Sequence, residues 1–138
     1  MWSFEHKVIT KASKESIWKL WSNVGEWNKW DKEIEYSNLS GLFQKGTKGI
    51  LKPKGGPKTQ FILISVEEFK SFSDRTRLPL CNLDFIHTIR ETNKGLEICH
   101  RIEFSGLLTF LFSRVIGKNI QAGIPEAVAN LIRLAEQS

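Results

Sequence analysis

His87 and His100 are the residues of this chain best placed to do chemistry. An imidazole titrates near neutrality, so it can move a proton, donate or accept a hydrogen bond, or bind a metal. Residues 83–104 read as a β-hairpin that sets the two against each other. Leu83, Phe85, His87 and Ile89 alternate onto one side, and Leu96, Ile98, His100, Ile102 and Phe104 do so on the return. With Asn93-Lys94 as a two-residue loop, Phe85 faces Ile102, Ile89 faces Ile98, and His87 faces His100. Arg90, Glu97, Arg101 and Glu103 take the other side, and a one-residue slip would bury them, so the register is well specified. Opposed imidazoles with Cβ atoms roughly 5 Å apart titrate as a coupled pair, because charging one disfavours charging the other. Buried together, at least one stays neutral near pH 7 and can accept a hydrogen bond. The pair suits a single proton transfer, the anchoring of a polar ligand group, or simply the lining of a pocket or core.

The elements that must position this hairpin are legible on both sides of it. Trp2, Phe4, His6 and Val8 alternate with Ser3, Glu5 and Lys7, the pattern of a half-buried strand. Ser13 stands where a helix N-cap belongs, with Glu15 in the first turn. Ile17, Leu20, Trp21 and Val24 follow at helical spacing, Gly25 is expected to end the helix, and Trp27 and Trp30 continue in a short helical or turn segment. The five tryptophans up to position 30 read most simply as core packing. Strands are predicted at 33–40, 47–53, 58–68, 70–77, 82–91 and 95–105, mostly joined by hairpins and therefore antiparallel. The inward parity of 58–68 stays open, because Phe61, Ile62, Leu63 and Ile64 run together. From Gly106 a long helical segment runs to Gln137. It is apolar almost all round over Leu107–Ile116, then narrows to a stripe through Ile120, Ile124, Val128, Leu131 and Ala135. Gly123 and Pro125 predict a kink or break near Ile124.

The 138 residues suit one domain, 1–138, large enough to hold a core without metal or disulfide. Cys81 and Cys99 have no zinc-type spacing, and Met1–Lys7 has no apolar signal-peptide core after it. No run approaches the roughly 20 apolar residues of a membrane span. A cytoplasmic protein with free thiols is the expectation. The net charge of +5 is concentrated in Lys45, Lys48, Lys52, Lys54 and Lys58. Solvated hairpin edges explain that run, and an anionic partner is the sharper alternative. Nucleic acid is disfavoured by the lack of RNP-like aromatics or a helix-turn-helix. Ser73-Asp74 reads as a turn or edge, with a carboxylate at a pocket mouth as the alternative. Ser16 and Lys19 match an SxxK spacing without its partner motifs, so an exposed helix face is expected.

In order, these pieces resemble the helix-grip superfamily, which includes START domains and the birch-pollen-allergen proteins. The chain is most similar to its polyketide cyclase/dehydrase-like group. The matching stretches are Ala12–Ser22, Trp27–Asp31, Phe72–Pro79, Leu83–His87, Ile98–Arg101 and Gly106 through Pro125. The resemblance implies an α+β helix-grip fold: a curved seven-stranded antiparallel sheet wrapped around a long C-terminal helix, with two short helices after the first strand. It also implies an apolar cavity between sheet and helix, and places His6 beside His100. Three histidines on neighbouring strands invite a metal. No carboxylate or cysteine of matching parity accompanies them, so neither metal nor cofactor is expected. An empty cavity of ~300 Å³ would cost on the order of 7 kcal/mol, so such a pocket should be occupied, partly wet or collapsed.

The reading that follows is binding of a hydrophobic small molecule, lipid or polyketide-like, with no nucleic acid partner and no stable membrane insertion. The ligand-binding candidates are His87, His100 and His6, then Phe85, Ile89, Ile98 and Ile102 on the same sheet face. Trp30 and Phe112 are expected opposite them. Alternatives are a cyclase or dehydratase using His87 and His100 as acid and base, and a co-chaperone-like protein-interaction module.

Overall fold

A computed structural model describes residues 1–137. Strand β1 (Trp2–Thr10) leads into helix α1 (Lys14–Ser22), whose cap is Ser13: its side chain accepts from the Ser16 amide. The helix stops at Ser22, short of Gly25, and a 3-10 segment takes Val24–Lys29. Six strands follow: β2 (Ile34–Leu39), β3 (Lys48–Pro53), β4 (Thr59–Glu67), β5 (Ser71–Leu78), β6 (Cys81–Thr92) and β7 (Gly95–Ser105). They form one antiparallel sheet in the order β1-β7-β6-β5-β4-β3-β2. Each consecutive pair from β2 to β7 is a hairpin, and β1 closes the far edge against β7, so β1 and β2 are the free edges.

The β6–β7 register is the one expected, with Phe85 opposite Ile102, His87 opposite His100 and Ile89 opposite Ile98. The outer face carries the charges: Arg75 holds Asp84 through two bonds of 2.7 and 2.9 Å, and Arg101 holds Glu103 at 2.7 Å. The open parity of β4 is settled by a bulge. Phe61 and Leu63 face inward opposite Thr76 and Asp74, the register shifts between Leu63 and Ser65, and Val66 then returns to the inner face opposite Phe72. The extra residue bends the strand, and with a second irregularity between Ile34 and Tyr36 it gives the sheet its curl. Gly49 of β3 allows that curl, since a Cβ there would collide with the Phe61 ring and the Asn38 carbonyl.

The concave face grips the C-terminal helical run. It opens with α2 (Thr109–Phe112), passes through one π-helical turn at Ser113–Gly117, and continues as α3 (Lys118–Glu136). Of the kink or break expected near Ile124, the break does not occur: Pro125 lies inside an unbroken α3, and a π turn precedes it at Ser113–Gly117. A π turn widens the ring of backbone bonds and re-aims the residues around it without a proline. Ile124, Val128, Leu131 and Ala135 of α3 are buried, as the stripe requires. The helix end is tied to β1 by Thr10, whose hydroxyl donates to Glu136 at 2.6 Å. Among the described residues no helix is long and apolar enough to cross a membrane.

Candidate functional site

Because strand pairing is continuous from β4 to β1, inward side chains fall into rows across the sheet. One row runs Val66, Phe72, His87, His100, His6. The next runs Leu63, Asp74, Phe85, Ile102, Phe4. His87 and His100 are both buried, with ring centroids 4.7 Å apart and planes at 78°. The His87 ring stacks flat on Phe72, centroids 4.0 Å apart and planes 4° from parallel. Its Nδ1 lies 3.3 Å from the Phe72 carbonyl. A carbonyl can only accept, so Nδ1 carries the hydrogen and Nε2 keeps its lone pair. Burial holds His87 down to about 3, opposed weakly by that backbone bond. Burial and the neighbouring His87 and His6 hold His100 well below its ordinary value. Both imidazoles are therefore neutral across the physiological range.

Helix α1 and the segment after it supply a ceiling. Trp21 packs on both imidazoles, at 5.4 Å from His87 and 5.7 Å from His100. Trp30 meets the edge of His100 at 5.8 Å. Trp27 spends its indole N–H on the Trp21 carbonyl at 2.9 Å, and stacks on Phe61 and Phe72. The other two indoles do not follow it. Trp21 Nε1, Trp30 Nε1 and His100 Nε2 are buried and have no hydrogen-bond partner among the described residues. Each unmade bond of this kind costs about 1–3 kcal/mol. All three sit on rings packed around His100.

Asp74 is not the turn residue that Ser73-Asp74 suggests. It stands in the middle of β5, is 5 % exposed, and shares the inner face with Phe72 and Thr76. Turn preference is a local tendency, and pairing on both sides of β5 overrides it. Burial, reinforced by the nearby Asp84 carboxylate, pushes its carboxyl up to about 8. Asp74 is thus a neutral acid near pH 7, in the row next to the imidazoles. Alternation through Phe72, Asp74 and Thr76 was the signal that could have revealed it.

The remaining candidates divide. His6 lies opposite His100 at the sheet's outer strand, half-buried. Ile89, Ile98 and Trp30 join the cluster around the tryptophans, while Ile102 and Phe85 pack under Ile120, Ile124 and Val128. Phe112 sits further along, against Leu83 and Phe104, and is not brought to the histidines. Trp21, expected in the core and found there, and Phe72, given no role by the sequence, also make close ring contacts to the imidazoles. Thr76 and Phe85 on the inner sheet face, and Phe112, Ile116 and Ile120 on the helical run, are only half-buried, so they mark an open margin of the concave face. Above the histidines the space is filled by Trp21, Trp30 and Phe72. Two open hollows of about 480 and 470 Å³ lie elsewhere, beside Trp2 and Phe110 and on the outer sheet face around Thr88 and Cys99. Among the described residues no group of three His, Cys, Asp or Glu is placed to hold a metal ion. Cys81 and Cys99 are free thiols, and burial pushes Cys99 up to about 11, away from reactivity.

This arrangement, a curled antiparallel sheet closed by a long C-terminal helix over an inward polar row, is the helix-grip fold. Solved structures share it. The di-domain ARO/CYC StfQ from the steffimycin biosynthetic pathway matches with a TM-score of 0.79 at 9 % identity over 98 % of this chain, which spans 50 % of that protein's length. Norcoclaurine synthase from Thalictrum flavum matches at 0.69 and 17 % identity, over 95 % of this chain and 83 % of that one. Ara h 8.0201 matches at 0.68 and 10 % identity, over 96 % and 98 %. At such identities the likeness establishes the fold alone. No protein-family model matches the sequence, and no curated protein matches it.

Proposed function

We propose that this protein binds a hydrophobic small molecule bearing a hydroxyl or carbonyl oxygen, held at its polar end by His100, Trp21 and Trp30. The observation that carries the reading is the set of three buried nitrogens, unpartnered among the described residues, on His100 and the two indoles packed against it. An indole N–H is only a donor, while a neutral imidazole nitrogen can accept or donate. A hydroxyl oxygen can accept from two indoles and donate to His100 Nε2. A carbonyl oxygen accepts from all three when His100 takes the other tautomer. Because Trp21, Trp30 and Phe72 fill the space above the histidines, the oxygen enters as these rings shift aside, and the apolar body of the ligand extends toward the half-buried margin at Phe85, Phe112, Ile116 and Ile120. Cyclase and norcoclaurine synthase structures of the same fold make small organic ligands a reasonable class.

Two further readings each have one observation behind them. A cyclase or dehydratase is favoured by a proton-bearing Asp74 in the row next to the lone pair of His87 Nε2, an acid and a base on one face. A protein-interaction module is favoured by the close aromatic filling above the histidines. Native mass spectrometry of freshly purified protein separates binding from the last. The expected result is a co-purified organic mass that is lost on denaturation. Bare protein in repeated preparations contradicts the binding reading.

A further inference from the structure

The C-terminal run begins with its polarity reversed. On α2 and the π turn the small residues Thr109, Ser113 and Gly117 face the protein and are buried. The large apolar residues face out: Leu107 is 79 % exposed, Phe110 65 %, Leu111 43 % and Val115 59 %. Phe110, Leu111, Arg114, Val115 and Lys118 recur at roughly helical spacing, and Leu107, in the turn before α2, borders one hollow with Phe110 and Arg114, so the four lie beside exposed Arg114 and Lys118. Leu80, 65 % exposed at the β5–β6 turn, extends it, with exposed Arg77 just before that turn. The patch is fixed in place. The Leu108 amide donates to the Leu80 carbonyl at 3.1 Å, and Gly106 at φ +114° allows an approach that a Cβ, 2.7 Å from that oxygen, would block. From Phe104 to Pro125 the chain contains no acidic residue.

From this surface we infer that α2 and the π turn dock the protein onto an anionic membrane, with Leu107, Phe110, Leu111 and Val115 entering the interface. Exposed apolar side chains interleaved with cations and free of acids fit anionic headgroups over acyl chains. A second copy of the chain fits less well, because a two-fold contact would set Arg114 and Lys118 against their own counterparts. The inference stands on residues outside the concave face, so it does not depend on the ligand reading. The inner face of the same segment, Phe112 and Ile116, borders the half-buried margin, so docking would bring that margin to the bilayer.

Vesicle co-sedimentation tests it. Wild type should pellet with phosphatidylcholine vesicles containing roughly 40 % phosphatidylglycerol, and far less with phosphatidylcholine alone or at about 0.5 M salt. Leu107→Ser with Phe110→Ser should cut the anionic-vesicle partition by about tenfold or more while the melting temperature holds, since both side chains are exposed. Arg114→Glu with Lys118→Glu should lose the preference for anionic lipid. Wild type that stays in the supernatant overturns the inference. So does binding that the serine variant leaves unchanged, or a concentration-dependent dimer that the serine variant abolishes.

Discussion

Replacing Asp74 with Asn raises the melting temperature relative to wild type, by roughly 10 °C more at about pH 9 than at about pH 5. Unfolded, the Asp74 carboxyl releases its proton near 3.8, whereas folded it does so only near 8. Between those values the native state holds a proton that the unfolded state lacks. Stability therefore falls as pH rises through the window, by about 1.4 kcal/mol per unit, and levels off above it. From about pH 5 to the folded value the accumulated loss is roughly 4 kcal/mol, and Asn, nearly isosteric with the neutral acid, removes it. Thermal melts of both proteins across the range read the difference directly. Parallel curves at all pH values would mean that Asp74 is ionised in the native state and that the inner face is wetter than its packing suggests.

The double substitution His87→Phe with His100→Phe removes the opposite limb. Unfolded histidine takes up a proton near 6.5, but native His87 does so only near 3 and native His100 well below 6.5. Here the unfolded state holds the extra protons. The stability they contribute is complete above 6.5 and is lost as pH falls toward the folded values. Two such groups cost about 2.7 kcal/mol per unit over that span, against the 1.4 that Asp74 returns. Wild type should therefore be most stable near pH 6.5, declining on both sides. The phenylalanine variant should instead gain stability steadily from neutral toward about pH 5, because only the Asp74 limb remains. Denaturant titrations at a series of pH values show whether the maximum disappears. If the variant keeps the wild-type acid decline, that decline belongs to other groups, and the imidazoles are not held neutral by burial.

The opposing limbs follow from a concave face with polar groups in two adjacent rows under an aromatic ceiling, most stable while its acid is protonated and its bases are not. Much of this was legible in the sequence. The hairpin from Leu83 to Phe104 could be registered because alternation is strict, charges hold the other face, and the turn is short. The helix cap at Ser13 and all seven strands followed from equally local rules. What was not legible depended on distant contacts. The Phe61–Ile64 run carries no period, and only pairing with β5 shows the bulge that resolves it. Ser73-Asp74 has turn chemistry but is flanked by two strands that hold it extended. Pro125 sits inside a helix kept whole by packing at Ile124, Ala127 and Val128. Of the tryptophans, only the three-dimensional arrangement separates Trp27, whose N–H is used, from Trp21 and Trp30, whose N–H groups are not. An all-round apolar stretch such as Leu107–Ile116 cannot reveal which side faces out, and here the larger residues do.

We propose that Trp21, Trp30 and His100 together receive a ligand oxygen. This is tested most directly by titrating isotope-labelled protein with 2-naphthol and with naphthalene while following the indole N–H resonances. The arrangement predicts that 2-naphthol binds about tenfold more tightly and moves the Trp21 and Trp30 indole signals downfield, as new hydrogen bonds require. Equal affinities, with both indole signals unmoved by the hydroxyl, would contradict it.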